Sequence, residues 1–405
     1  MTNPIEVAVA IIGAGPVGAT LAAALAAADI PCAVVDAAPL PPMEMPEFDG
    51  RCYAIAAGSR GVLERAGVWD ALPDTPCPIE TIRVQDGEPG RPASPLSLTF
   101  NAAESGQDAF GWMVEARALR VGLNARLPHL PALCVFAPAR AEVLSRGPEG
   151  VDIALDNGTR IRARLLVGAE GRRSPIRGLA GIRTTGLDYH QIGMVGAFAH
   201  ENPHGNCALE QFLPNGPFAQ LPLAAAPPGA PFAHASSFVW SDKTAIARHM
   251  LALDDAAFSR ELARRMGDAL GRVHVIGRRW SYPLTAMHAE RYTDTRLVLV
   301  GDAAHGIHPI AGQGLNLGFQ DVGALARLIE EAVTNGQDPG GAELLRAYQA
   351  ERRPAAMLML GATHGIERLF GNRNPLLRTA RRVGIAAVDR IGPLKRAFAR
   401  QAMGG

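Results

Sequence analysis

The sequence predicts an α/β fold in which a doubly wound layer is interrupted by an antiparallel-sheet domain and followed by a C-terminal helical region. Three observations support this fold class. An apolar strand at residues 6–12 runs through a glycine turn into a helix. From about residue 187 to residue 284 the chain changes to segments that favour an antiparallel sheet. Strand and helix signals then return at Leu297, so the last strand and helix of the doubly wound layer come late in the sequence.

The elements follow from apolar runs, alternation and turn residues. In the first part we predict strands at 6–12, 32–35, 79–85, 97–100, 151–155 and 165–167, and helices at 16–28, 59–66 and 115–127. In the second part we predict strands at 191–199, 208–213 and 232–240, and helices at 243–250 and 254–267. A helix from 314 to about 335 and a mostly helical stretch from 341 onward complete the prediction.

These elements divide the 405 residues into three regions. The doubly wound domain is discontinuous and comprises residues 1–75, 102–184 and 285–335. The sheet domain comprises residues 76–101 and 185–284, and the C-terminal helices comprise residues 336–405. A chain of this length is expected to form sizeable cores.

Composition excludes several classes of function. A net charge of +1 gives no electrostatic reason to expect a nucleic-acid partner. The five cysteines include no C-x-x-C pair, which suits reduced thiols better than disulfides or a zinc site. Residues 7–28 are uncharged, but glycines and a proline interrupt them and no basic segment precedes them. We therefore expect no signal peptide, no transmembrane helix and a cytoplasmic protein.

The glycine turn has the fingerprint of a Rossmann-like dinucleotide site. Gly13 is expected to permit the tight turn, Gly15 the approach of a pyrophosphate to the backbone, and Gly18 the close packing of helix on strand. Asp36 ends the next strand, where its carboxylate is placed to accept hydrogen bonds from a ribose. This motif alone does not distinguish FAD from NAD.

A second polar strand end, late in the chain, indicates a flavin dinucleotide. An apolar strand ends at Gly301-Asp302 and leads through a proline- and glycine-rich loop into a helix. Asp302 is expected to hold ribityl or pyrophosphate-side oxygens of FAD. Free N–H groups at the helix start are expected to meet the pyrimidine edge of the flavin ring, where negative charge accumulates on reduction. The residues of this loop and helix start are Gly312, Gln313, Gly314, Leu315 and Asn316.

A third motif lies between these two, and the set carries a family resemblance. At Gly168-Ala-Glu170-Gly171 a strand ends and enters a helix through Ser174-Pro175, a good helix-capping pair. The three motifs in this order resemble the class A flavoprotein aromatic hydroxylases, which have the para-hydroxybenzoate hydroxylase fold. Residues 308–321 and 369–404 resemble the ubiquinone-biosynthesis hydroxylases among them.

The resemblance implies roles for four further residues. Arg51 matches an arginine beside the flavin and its phosphates, and Arg117 matches a residue that reaches the pyrophosphate side. Pro309 matches the proline at the reactive face of the ring; it is the one residue we assign to catalysis, with no acid or base assigned. Glu170 stands where the family usually has aspartate in a motif that touches FAD and is implicated in binding reduced nicotinamide. The electron donor is therefore left open between NAD(P)H and a protein.

The resemblance also implies the reaction. The family hydroxylates aromatic rings through a C4a-hydroperoxyflavin, and these relatives act on a polyprenyl phenol in ubiquinone biosynthesis. The absence of a Ser-His-Asp set, a paired-carboxylate site or metal-ligand spacing is consistent with chemistry that the cofactor supplies. Two alternatives stay open: a hydroxylase of a small soluble phenol such as a salicylate, and a non-catalytic FAD-binding subunit of a biosynthetic complex. Candidate pocket walls are Phe212, Phe218, Leu221 and Phe238, although their type favours a core position.

A basic C-terminal segment suggests a contact for a substrate with a long prenyl tail. Residues 373–400 contain eight Lys or Arg against one acidic residue, with small and apolar residues at helical spacing. Such a helix lies on an anionic membrane or on an acidic partner, for example a ubiquinone-biosynthesis complex, or it caps the FAD domain with a solvated face. Association with the inner membrane periphery is the alternative to a purely cytoplasmic location.

Overall fold

The computed structural model describes residues 3–40, 48–90, 97–308 and 312–370. Its strands, in chain order, are β1 (Ile5–Ile12), β2 (Cys32–Val35), β3 (Cys52–Ala56), β4 (Cys77–Ile79), β5 (Thr81–Asp86), β6 (Ser97–Asn101), β7 (Gly111–Glu115), β8 (Leu133–Phe136), β9 (Ala141–Gly147), β10 (Gly150–Leu155), β11 (Arg160–Gly168), β12 (Thr184–His200), β13 (Cys207–Leu213), β14 (Gly216–Pro222), β15 (His234–Lys243), β16 (Val273–Ala289), β17 (Thr293–Asp294), β18 (Leu297–Leu299) and β19 (His305–Gly306). Its helices are α1 (Pro16–Ala27), α2 (Ala57–Arg65), α3 (Ala116–Arg126), α4 (Pro175–Leu179), α5 (Thr244–Leu251), α6 (Asp255–Met266), α7 (Gln313–Thr334) and α8 (Ala342–Phe370).

The first sheet is the doubly wound layer. Its strands lie in the order β17-β18-β11-β1-β2-β8, with β10 and β9 added beside β11. The central strands β18, β11, β1, β2 and β8 run parallel. Strands β1, β2 and β18 consist largely of buried apolar residues, because both of their faces are covered, and short apolar runs identified them in the sequence. Strand β11 alternates exposed and buried residues until its last four, and β8, which is only partly buried, was not predicted.

The second sheet is mainly antiparallel and has the order β19-β16-β12-β15-β14-β13-β5-β6. One of its faces packs on α5 and α6 through a core that includes Phe198, Phe218, Phe238, Trp240 and Phe258. Since side chains alternate along a strand, the residues between these aromatics point to the opposite face. The sequence therefore builds a sheet with one aromatic, helix-covered face and one face left for the rest of the molecule.

A third sheet of three strands corrects one sequence prediction. Its order is β3-β7-β4. The single strand predicted at 79–85 is wrong, because the chain leaves this sheet after Ile79 and enters the second sheet at Thr81 as β5. The backbone N–H groups of Glu80 and Thr81 instead bond to the carbonyl of Asn206, which turns the chain between the two sheets.

The sheets lie close to the predicted regions, with differences at the edges. Strand β16 continues to Ala289, past the predicted boundary at 284, and the two-residue strand β19 also pairs with it. β4 joins the third sheet, although it falls in the predicted sheet domain. The domain division itself stays a prediction.

Small residues allow the late helix α7 to lie against α1. A Cβ atom on Gly318 would lie 2.7 Å from a methyl group of Val17, and one on Gly301 would lie 3.2 Å from the same group. This close approach places the start of α7 beside the glycine turn that precedes α1. Within the described part of the chain, no helix is both long enough and apolar enough to cross a membrane.

Candidate active site

A cavity of about 1360 Å³ lies between the first two sheets. One side is formed at the carboxyl ends of β1, β2 and β11, where ligands of doubly wound sheets bind. The other side is the free face of the second sheet, with Val195, Val239, Leu221 and Leu284 among its residues. The cavity therefore joins a dinucleotide-type strand edge to an apolar wall.

The three glycines of the turn have different geometric roles. Gly13 has a φ of +104°, and a Cβ atom there would lie 2.6 Å from the backbone of Ala169. A Cβ atom on Gly18 would lie 2.0 Å from the carbonyl oxygen of Gly13. A Cβ atom on Gly15 would meet nothing within 4 Å and would project into space at the cavity wall. Gly13 and Gly18 are thus required by packing, whereas Gly15 keeps an open place beside the backbone.

Asp36 organises the loop around this open place. Its Oδ2 atom accepts a hydrogen bond of 2.7 Å from the N–H of Ala14, and its Oδ1 atom accepts one of 2.8 Å from the N–H of Ala38. A carboxylate offers about four acceptor positions, so two remain for ribose hydroxyl groups. Sequence reasoning missed a neighbour: Arg120 donates from Nη1 to the carbonyl of Ala14 at 2.8 Å. Arg120 follows the predicted Arg117 by three positions on α3, and no motif marked it.

The late Gly-Asp turn also lines the cavity. Gly301 adopts a φ of +57°, and Asp302 follows it with a side chain that is 44% exposed. The Oδ2 atom of Asp302 accepts a hydrogen bond of 3.0 Å from Nε of Arg172. Arg172 also donates from Nη1 to the hydroxyl of Thr285 at 2.7 Å. Arg172, which sequence reasoning did not single out, therefore links the first layer to strand β16 at the cavity edge.

The side chain of Glu170 accepts hydrogen bonds from residues at the start of α4. Its Oε2 atom accepts from the hydroxyl of Ser174 at 2.7 Å, and its Oε1 atom accepts from the N–H of Ile176 at 3.1 Å. Burial raises the pKa of Glu170 above its usual value, while the hydrogen bond from Ser174 acts against that shift. The Glu170 carboxylate thus contacts the N-cap residue and the first turn of the helix. Its consequence for the electron donor stays a prediction.

The start of α7 is open to a ligand. Gly312 is the N-cap residue with a φ of +63°, and no side chain caps the helix. A Cβ atom on Gly314 would meet nothing within 4 Å. The side chain of Asn316 is not available, because its Nδ2 atom donates to Ala54 O at 2.8 Å and its Oδ1 atom accepts from Ala56 N at 2.8 Å. The first backbone N–H groups of the helix therefore have no side-chain cap, and their contact with the flavin ring stays a prediction.

The predicted site residues divide into three groups. Those that line the cavity are Gly13, Gly15, Asp36, Glu170, Gly301, Asp302, Gly312, Gly314 and Leu315. Those that do not line it are Gly18, Arg51, Arg117, Gln313 and Asn316. Pro309 lies outside the described residues, and so does the basic segment at 373–400.

Two predicted arginines are held by neighbouring acids. Arg117 pairs with Asp74 at 3.0 Å and with Glu115 at 3.6 Å. Arg51 pairs with Asp49, and its guanidinium carbon lies 4.1 Å from the ring centre of Trp280. Their roles beside phosphates stay predictions.

The sheet side of the cavity differs from the predicted walls. Leu221 lines it, but Phe218 and Phe238 lie in the core on the opposite face of the sheet. Phe212 is also buried and is not among the residues of the cavity wall. The parity of the strands, which the sequence pattern left undecided, determines this outcome for Phe218 and Phe238. Phe212 lies on the same face as Leu221, but outside the cavity wall.

A buried ionic cluster supports the late turn from behind. Asp321 of α7 is fully buried and accepts hydrogen bonds from three groups. These are Nε2 of His305 at 2.6 Å, Nε of Arg352 at 2.9 Å and the backbone N–H of Gly301 at 2.9 Å. A carboxylate can only accept, so His305 carries its proton on Nε2. Asp321 thus ties α7, α8 and the turn before Asp302 together.

Comparison with known proteins agrees with this geometry. A family model described as FAD binding domain matches residues 6–363. Ubiquinone hydroxylase UbiL of Rhodospirillum rubrum is 47% identical over 396 residues, which cover 98% of this chain and 89% of that protein. 3-demethoxyubiquinol 3-hydroxylase of Escherichia coli is 35% identical over 407 residues, which cover all of both chains.

The chain belongs to the FAD-dependent aromatic hydroxylases of ubiquinone biosynthesis. It is a flavoprotein monooxygenase with FAD as its cofactor. The open place at Gly15 and the uncapped start of α7 are consistent with that cofactor, because they leave room for a pyrophosphate and free N–H groups for an electron-rich ring edge.

Solved structures confirm the predicted fold class. p-Nitrophenol 4-monooxygenase PnpA from Pseudomonas putida superposes with a TM-score of 0.77 at 18% identity, covering 100% of this chain and 99% of that one. PqsL from Pseudomonas aeruginosa superposes with a TM-score of 0.73 at 22% identity, covering 94% of this chain and 99% of that one. At these identities the likeness shows the fold alone.

Proposed function

We propose that this protein hydroxylates the aromatic ring of a polyprenyl phenol on the route to ubiquinone. The observation that carries the proposal is the cavity that joins the glycine turn to the apolar face of the second sheet. A phenol with an apolar substituent fits between the start of α7 and Val195, Val239 and Leu221. The similarity to a ubiquinone hydroxylase over 98% of the chain supports the same substrate class.

The residues on the cavity wall have distinct tasks in this proposal. Gly15 and the N–H groups that open α1 would hold the pyrophosphate, and Asp36 would hold the ribose. Asp302 would accept hydrogen bonds from ribityl hydroxyls once Arg172 releases it. FAD, when bound, supplies the activation of dioxygen and the oxygen atom that is transferred. The apolar sheet face excludes water from the ring that is hydroxylated.

The source of the electrons that reduce FAD, and the surface from which the prenylated substrate enters, are also proposals. NAD(P)H, the typical reductant of the family, would reduce FAD, with a protein donor as the alternative. The basic segment at 373–400 would contact an anionic membrane surface or an acidic partner, from which the prenylated substrate enters.

Replacement of Asp302 by alanine tests the proposed function. We expect Asp302→Ala to abolish hydroxylation, because the ribityl chain loses the acceptor at the strand end. The measurement is product analysis by mass spectrometry in a strain that lacks its ring hydroxylases and carries either the wild type or the variant. Ubiquinone restored only by the wild type would support a flavin-dependent ring hydroxylase, and the precursors that accumulate with the variant would identify the ring carbon.

Asp188→Ala is the matched control, because Asp188 is an exposed acid whose removal leaves the cavity intact. It should restore ubiquinone as well as the wild type does. An FAD-loaded wild-type protein that restores no ubiquinone would contradict the proposal. Oxidation of NAD(P)H stimulated by small phenols would then favour a small-phenol hydroxylase, and no stimulation would favour a non-catalytic FAD-binding subunit.

A further inference from the structure

Tyr282 places a hydroxyl group on the apolar side of the cavity. The residues of the second sheet that line the cavity are Gly193, Val195, Leu221, Val239, Tyr282, Pro283, Leu284 and Thr285. Among these, Tyr282 and Thr285 have polar side chains, and the Thr285 hydroxyl already accepts a hydrogen bond of 2.7 Å from Arg172. Tyr282 is 45% exposed, so its side chain is accessible to a molecule in the cavity.

The strand pairing places Tyr282 beside the wall that is proposed to contact the substrate. On β16 and β12, Tyr282 is registered with Gly193 and Trp280 with Val195, with no register shift between these pairs. Side chains at alternate positions point to one face, so Tyr282 shares the cavity face with Val195. Diagonal neighbours of this kind have Cα atoms about 7–8 Å apart, within reach of an aromatic side chain.

Arg51 is fixed next to Tyr282 by two other contacts. Its Nε atom donates to Oδ2 of Asp49 at 2.8 Å, and its guanidinium carbon lies 4.1 Å from the ring centre of Trp280. Trp280 in turn donates from Nε1 to the carbonyl of Asp49 at 2.9 Å. Burial acts to lower the pKa of Arg51, but Asp49 and then Tyr282 raise it above its usual value. The cation and the tyrosine oxygen therefore lie within interaction distance.

This arrangement makes the Tyr282 hydroxyl a donor toward the cavity. Asp49 takes the Nε and Nη2 atoms of Arg51, and a guanidinium has further N–H groups to donate. A tyrosine oxygen that accepts from one of them keeps its own O–H for a ligand. Because hydrogen bonds in a chain polarise one another, an oxygen that accepts from a cation is also the stronger donor.

We propose that the Tyr282 hydroxyl donates a hydrogen bond to the ring oxygen of the phenol substrate and so orients the ring, an inference that rests on the proposed function. Arg51 is the positioning residue that holds Tyr282. The apolar part of the substrate packs on Val195 and Val239, and the ring oxygen lies at Tyr282. A ring held at both places presents one edge to the start of α7.

The test compares two ligands that differ by the ring hydroxyl, ortho-prenylphenol and prenylbenzene. Their Kd values for the FAD-loaded protein in detergent are measured from the change in flavin absorbance. The preference for the phenol, as the ratio of the two Kd values, should fall about tenfold in Tyr282→Phe, because the variant lacks the donor. Partition into detergent affects both proteins alike, so it does not alter this comparison. Tyr282→Phe should also release more than one ring-hydroxylated isomer.

Tyr189→Phe is the matched control, because its hydroxyl is buried in the same sheet and does not line the cavity. It should keep the wild-type ratio. Arg51→Met should lower the ratio in the Tyr282 protein but not further in Tyr282→Phe. An FAD-loaded Tyr282→Phe protein with the wild-type ratio would overturn the proposal. Equal losses from Arg51→Met in both backgrounds would overturn the positioning role of Arg51.

A pair of small ligands separates this proposal from the proposed function. The same Kd values are measured for p-cresol and toluene. If neither prenyl compound binds but the preference for p-cresol depends on Tyr282, the proposed substrate class is wrong and the role of Tyr282 is supported. If the wild type hydroxylates the prenyl phenol and neither pair shows a preference that depends on Tyr282, the role of Tyr282 is refuted and the proposed function stands.

Discussion

Replacing Asp321 by asparagine is expected to lower the free energy of unfolding by about 3–5 kcal/mol. Asp321 is fully buried and accepts from His305, Arg352 and the backbone of Gly301. An asparagine keeps one acceptor oxygen but turns an NH₂ group toward the remaining donors. It also leaves the Arg352 cation, which is 8% exposed, without its counter-charge. A buried charge that has lost its partner is the costly case, far more so than the loss of a surface ion pair.

The experiment compares urea unfolding of the variant and the wild type by circular dichroism at neutral pH. The control is Glu331→Gln on the same helix, which removes the exposed Arg327–Glu331 pair and should change stability by less than about 0.5 kcal/mol. If Asp321→Asn unfolds at the same urea concentration as the wild type, the cluster does not stabilise the fold.

The same cluster predicts the direction of an acid effect. Burial tends to raise the pKa of Asp321, but the charges and hydrogen bonds of His305 and Arg352 bring it below its ordinary value. A carboxyl group whose pKa is lower in the folded state stabilises the fold above its unfolded pKa of about 3.9. That stabilisation is lost as the pH falls through the folded pKa. The difference in stability between the wild type and Asp321→Asn should therefore shrink in acid.

Local patterns were sufficient to predict the elements that carry the glycine turn and the late helix. The strand predicted at 6–12 is Ile5–Ile12, and the helix predicted from 314 to about 335 is Gln313–Thr334. These segments have strong apolar runs because they are buried between layers, and glycines mark where the helices start. Strand β16 was missed, since its 17 residues include Gly277, Arg278 and Arg279 and are exposed over much of their length.

The site shows where sequence reasoning ends. The turn at Gly13 and the turn at Gly301 line one cavity, and the prediction that both contact one FAD molecule stays a prediction. Asp321 belongs to the recognised signature, yet its partner Arg352 lies 31 residues away on another helix, and only the packing of α7 on α8 joins them.

Alanine at Gly18 should destabilise the apoprotein and alanine at Gly15 should not, although both residues belong to one motif. A Cβ atom at Gly18 would lie 2.0 Å from the Gly13 carbonyl oxygen. This steric clash is with a backbone atom, so no side-chain rotation can relieve it. Gly18→Ala is therefore expected to destabilise the fold by about 3 kcal/mol or more. Gly15 has extended backbone with a φ of −61° and open space at its Cβ position, so Gly15→Ala should leave the apoprotein nearly as stable as the wild type.

The effect of Gly15→Ala should appear instead in the affinity for FAD. The new methyl group occupies the place where the pyrophosphate approaches the backbone, and we expect the Kd to rise at least about tenfold, or 1.4 kcal/mol. Thermal unfolding with and without FAD measures both quantities, because a ligand that binds only the folded state raises Tm in proportion to its binding free energy. Gly61→Ala is the control, since Gly61 lies in α2 with nothing within 4 Å of its Cβ position. A Gly15→Ala protein that binds FAD as tightly as the wild type would show that the cofactor does not approach the chain at Gly15.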